Sequence, residues 1–122
     1  MELISSGDGQ SELRLEVKPH MENHVHLAHG GVLMTLLDVA MAQAARTANN
    51  GTGVITIEMK TTFLQPSLGV LTARGQLLHK TNRMAFAEAT VFDADGKRCA
   101  HSTGTFRYIN RQPDKSETGD KA

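Results

Sequence analysis

The sequence predicts an α+β fold in which a curved antiparallel sheet wraps one long central helix. Three observations predict it. Apolar residues recur at helical spacing over a single stretch, residues 30–49. Four strand-like segments follow, separated by only a few turn residues each, and such short connections enforce antiparallel pairing. The helix is apolar nearly all round, so it needs cover on most sides, and one sheet packed on it supplies a layer architecture.

Taken in order, residues 11–17 alternate. Leu13, Leu15 and Val17 point one way, and Glu12, Arg14 and Glu16 the other, as in a half-buried strand. Residues 18–29 hold Pro19, Asn23 and four histidines and have no period, which reads as a loop. In the helix, Val32, Leu33, Leu36, Leu37, Ala40, Met41, Ala44, Ala45 and Ala48 form the repeat, and Asn49-Asn50-Gly51 stops it. Residues 54–64 are rich in Val, Ile, Thr and Phe, and Pro66-Ser67-Leu68-Gly69 makes a turn. Residues 70–79 form the next strand, with Gly75 expected at a bulge. Thr81-Asn82 turns the chain into residues 85–92. Asp93-Ala94-Asp95-Gly96 is a hairpin signal leading to a last strand at 98–109. A single domain over residues 1–110 is expected, with residues 111–122 a polar, disordered tail.

Composition narrows the function classes. The chain has 122 residues, enough for one core. Thirteen basic and 13 acidic residues cancel, so charge gives no case for nucleic acid or a membrane surface. Cys99 is the lone cysteine and cannot form an intrachain disulfide. The first ten residues lack a secretory pattern, and residues 32–48 are too short to span a bilayer. The expected location is cytoplasmic, with no membrane and no nucleic-acid partner.

Asp38 is the anomaly, a carboxylate between Leu37 and Val39 in an oily helix. Such a group is costly unless it is paired, hydrogen-bonded or open to a cleft. Pairing with Arg46, roughly two turns on, needs long reach. His29-Gly30-Gly31 opens the helix. There the free N–H groups and the positive dipole end suit a carbonyl oxygen gaining charge, while an ordinary glycine-rich helix start is the plainer alternative. His20, His24, His26 and His29 crowd one loop, but no recognisable metal spacing joins them, and no metal is expected. Cys99 has only His101 as a nearby base, and no nucleophile elbow or phosphate-binding loop occurs.

Asn23, His29-Gly30-Gly31 and then Thr35-Leu36-Leu37-Asp38 together resemble the pattern of the PaaI-like hotdog acyl-CoA thioesterases. In that family an Asn stands six positions before His-Gly-Gly, and an acid nine positions after the His; both offsets hold. The stretches Val54-Ile55-Thr56-Ile57-Glu58-Met59, Phe63-Leu64-Gln65-Pro66 and Ala100-His101-Ser102-Thr103-Gly104-Thr105-Phe106 extend the similarity over roughly residues 10 to 110. One departure is His26, where the family often has glycine.

The resemblance implies a hotdog fold and a homodimer with shared active sites, usually doubled to a homotetramer. It implies acyl-CoA hydrolysis to a free acid and CoA thiol, with no cofactor, since CoA is part of the substrate. Carried over by position, the Gly30 N–H would polarise the thioester carbonyl, and Asn23 and His29 would shape that site. Asp38 would be nucleophile or general base, and Thr56 would bond Asp38 or the attacking water. Arg83, with Lys80, is the candidate for the CoA phosphates. Gly30 and Asp38 lie eight residues apart, about 12 Å along a helix. If both act on one thioester, they come from different subunits, because bond-forming distances are about 3–3.5 Å. The alternative is a non-catalytic acyl-CoA-binding hotdog module. A hydratase and a histidine-loop metal protein are the more distant rivals.

Overall fold

A computed structural model describes residues 1–109. The tail expected at 111–122 lies outside the described residues. The elements are β1 (Glu2–Gly7), β2 (Gln10–Glu16), α1 (Gly30–Thr47), β3 (Val54–Phe63), β4 (Val70–Lys80), β5 (Met84–Phe92) and β6 (Arg98–Tyr108). They form one six-stranded antiparallel sheet in the order β1-β2-β4-β5-β6-β3. The sheet curls around α1, the hotdog arrangement. No described helix is long and apolar enough to cross a membrane.

The core lies between the helix and the concave face of the sheet. Leu36, Leu37, Ala40 and Met41 of α1 are fully buried against Leu71, Val91, Phe106 and their neighbours. Burial alternates along β2, β5 and β6, as the pleat requires. Polar side chains tie the ends of the layers together. Ser11 Oγ donates to the Ala40 carbonyl at 2.6 Å, Thr47 Oγ1 accepts the Gly9 N–H at 2.9 Å, and Tyr108 donates its hydroxyl to Ala45 O at 2.8 Å. Burial pushes the Tyr108 phenol above its ordinary pKa, because the charged form would lose water.

Three expectations are corrected. The first is β1, a strand that sequence reasoning missed; it pairs with β2 through a turn in which Asp8 (φ 52°) and Gly9 (φ 77°) are both left-handed. The second is Gly75, which sits in regular register opposite Ser11 and Ala89. A Cβ there would run into the Ala40 carbonyl, so glycine is needed for close helix–sheet approach, and the irregularity falls further on, between Leu77 and His79. The third concerns α1, which is covered on its sheet side but leaves a stripe of Gly31, Met34, Thr35 and half-buried Asp38 open. That spacing of three and four residues is one helix face.

Candidate active site

Asp38 is half-buried on the rim of the open stripe. Thr56 of the edge strand β3 donates its hydroxyl to Asp38 Oδ1 at 2.8 Å. Thr56 pairs with fully buried Phe106, which sets its side chain on the helix side of the sheet. Immediately after Thr56 the register shifts, leaving Ile57 as the extra residue. Among the described residues no cation pairs with Asp38; Arg46 instead donates to the Gly51 carbonyl at 3.2 Å, closing the helix end. One carboxylate oxygen is thus fixed in direction while the group keeps contact with the surface.

The N-terminal end of α1 carries Gly30. Among the described residues, no acceptor faces the amide N–H of Gly30 or Gly31. His29 is the N-cap; its own N–H donates to Met21 O at 2.9 Å, and its ring is exposed. Asn23 organises the preceding loop: its Oδ1 accepts the Val25 and Leu27 N–H groups at 3.0 and 3.1 Å. His26 takes a positive φ of 63° inside that turn, a conformation easy for glycine and strained for histidine. The loop nevertheless closes, with the His26 N–H donating to Asn23 O at 3.0 Å. The Phe63 ring lies against Gly30, where a Cβ would stand 3.3 Å from Phe63 Cζ. A cavity of about 360 Å³ opens beside these residues, lined also by Leu33, Gln65 and Ser67.

The structure therefore brings Asn23, His29 and Gly30 together at the start of α1, and Asp38 and Thr56 beside its middle. Within one protomer the two groups stay apart. Phe63 meets Gly30 and Thr56 meets Asp38, so β3 runs between the two groups.

The basic residues divide. Arg83 lines a cavity of about 720 Å³ together with Asn82, Ile55 and Arg107. Among the described residues neither arginine has an acidic partner. Lys80 places its ammonium 5.8 Å from the centroid of the Tyr108 ring. Sequence reasoning missed Arg107; its exposed position between buried Phe106 and Tyr108 was the available signal. A larger concavity, about 830 Å³, lies across the polar outer face of β2, β4 and β5 and holds none of the expected residues. Cys99 and His101 do not pair: Cys99 is buried with its Sγ toward Lys97 O, and His101 Nε2 lies 3.2 Å from Glu88.

Residues 26–100 match the family model described as the thioesterase superfamily. A conserved protein of Pseudomonas aeruginosa, PA5202, is 31% identical, with a TM-score of 0.83 over 88% of this chain and 87% of its own. The PaaI protein from the phenylacetic acid degradation operon of E. coli is 25% identical, with a TM-score of 0.84 over 89% and 79%. The BH2602 protein of Bacillus halodurans, solved with CoA, is 30% identical, with a TM-score of 0.80 over 91% and 75%. On this match, the chain belongs to the thioesterase superfamily, as a PaaI-like hotdog protein.

Proposed function

We propose that the protein hydrolyses acyl-CoA thioesters, using active sites shared between two protomers. The carrying observation is Asp38, held at one oxygen by Thr56 and left accessible on the open stripe of α1. Two free amides at the start of the same helix supply the complementary part, donors for a developing oxyanion. The bound CoA in the Bacillus halodurans relative supports the choice of thioester.

In the proposed reaction the Gly30 N–H polarises the thioester carbonyl, inside a site shaped by Asn23 and His29. Asp38 of the other protomer attacks the carbonyl carbon, or deprotonates the water that does. The tetrahedral oxyanion collapses, the C–S bond breaks, and the CoA thiolate leaves and takes a proton; where Asp38 is the nucleophile, water then cleaves the resulting acyl-Asp38 anhydride, releasing the free acid and restoring the carboxylate. Arg83 and Arg107 form a cationic pair for the CoA phosphates, and guanidinium groups suit phosphate geometry. Lys80 contributes charge nearby.

The fold supports sharing. β3 is an edge strand, paired only with β6, and exposes Ile55 and Ile57. Antiparallel pairing of two β3 edges across a two-fold axis sets the Phe63 end of one against the Thr56 end of the other. That brings Gly30 of one protomer toward Asp38 of its partner.

The test is Asp38→Asn assayed with a panel of acyl-CoAs and a thiol-detecting dye. Turnover is expected to fall at least about a hundredfold, with the melting temperature near that of the wild type. Undiminished thiol release by this variant would remove Asp38 from the chemistry. A wild-type protein that binds acyl-CoA and releases no thiol would be a binding module.

A further inference from the structure

Thr35 stands one turn before Asp38 on the open stripe of α1, and the proposed chemistry gives it no role. Of the four residues that neighbour Asp38 along the helix, Met34, Met41 and Ala42 are apolar, and Thr35 alone carries a hydroxyl. The protons of the site are already committed. The Thr35 hydroxyl donates to the Gly31 carbonyl at 2.9 Å, so toward the stripe its oxygen can only accept. Thr56 gives its own proton to Asp38 Oδ1, and Asp38 Oδ2 has no hydrogen-bond partner among the described residues. Two acceptors and no donor therefore share one turn of an exposed helix face. A molecule with two protons satisfies both at once, and water is such a molecule.

The spacing suits a single water. Side chains three apart on a helix have Cβ atoms about 5–6 Å apart. Helical side chains also lean toward the N-terminus, which carries a carboxylate at 38 back over residue 35. One water with hydrogen bonds of about 2.8 Å on either side spans roughly 4.5 Å between its acceptors. We propose that Thr35 is a catalytic residue: its oxygen and Asp38 Oδ2 hold the attacking water between them, and Asp38 acts on that water as general base. With both protons directed at the protein, the water presents a lone pair to the opening of the stripe, where the thioester arrives. One proton passes to Asp38 Oδ2 as the water oxygen bonds to the carbonyl carbon. The C–S bond then breaks, the thiolate takes that proton from Asp38, and the other proton leaves on the product acid. The inference rests on the thioesterase reading and selects the water route from the two it allows.

A threonine bonded to its preceding turn is also an ordinary feature of helices, so the test isolates the oxygen. Thr35→Val keeps the shape and removes the acceptor; Thr35→Ser keeps the acceptor, and Thr35→Ala does not. With acyl-CoA substrates, kcat should be about tenfold lower in Thr35→Val than in the wild type, and in Thr35→Ala than in Thr35→Ser, the equivalent of one hydrogen bond. KM and the melting temperature should change little. The second readout is a rapid-quench single turnover that follows thiol and free acid separately. In Thr35→Val the two are expected to slow together, because water attack precedes C–S cleavage. Thiol released at the wild-type rate, with acid lagging behind, would mean that Asp38 attacks first, and overturns the proposal. So does a wild-type kcat in Thr35→Val, a loss confined to KM, or an equal loss in Thr35→Ser and Thr35→Ala, which would be packing. In each of these failures the wild type still hydrolyses thioesters, and only the water-holding role falls. A wild type that releases no thiol ends the hydrolase reading and the role with it.

Discussion

Asp38 and Thr56 stand 18 residues apart in the chain and 2.8 Å apart in space. A hydrogen bond to a carboxylate is worth about 1.5–3 kcal/mol, and here it fixes the direction of the group proposed to react. Thr56→Val is expected to lower kcat by roughly ten- to a hundredfold through that bond, leaving KM for acyl-CoA little changed. Thr56→Ser should restore most of the rate; equal kcat values for all three proteins would show the bond to be incidental. Asp38 was legible from sequence because an acid in an oily helix demands a physical explanation. Thr56 was legible only through the resemblance, since a contact between remote segments has no period. Arg107 was hidden for a related reason. An outward arginine looks like any solvated strand position until its surroundings are seen.

At the scale of elements, the helix and five of the strands were readable from apolar spacing and turn residues. Observed ends fall within two residues of the expected ones, as at α1, which closes at Thr47 where 49 was expected. β1 escaped because Glu2–Gly7 is exposed throughout and does not alternate; its signal was the Asp8-Gly9 turn. Gly75 shows how a correct observation acquired the wrong cause. Glycine in a strand was read as a bulge, whereas the backbone of α1 packs directly on it, with the Ser11 hydroxyl also in the way of any Cβ. Gly75→Ala is therefore expected to destabilise the fold by more than about 2 kcal/mol, by forcing helix and sheet apart. Denaturant unfolding measures this directly, and a midpoint close to wild type would contradict the packing argument.

For the whole molecule, the spatial split between Gly30 and Asp38 makes a quantitative demand on assembly. Gly30→Val, which crowds Phe63 and the amide site, and Asp38→Asn should each be inactive as pure proteins. Refolded together in equal amounts, they should regain about a quarter of wild-type turnover, since half the dimers are hybrids and each hybrid keeps one intact site. A mixture as inactive as its components would place both residues in a single-protomer site and end the shared-site proposal.

The sheet has two outer strands, and they differ. β3 runs for ten residues with a bulge at Ile57, while β1 has only six and loses register between Leu3 and Ser5. A ribbon with two equally receptive borders would invite endless polymerisation, copy upon copy, toward fibres. The short, kinked border at Ile4 is the poorer template, so under the proposed pairing lateral joining would terminate once the two β3 borders have met.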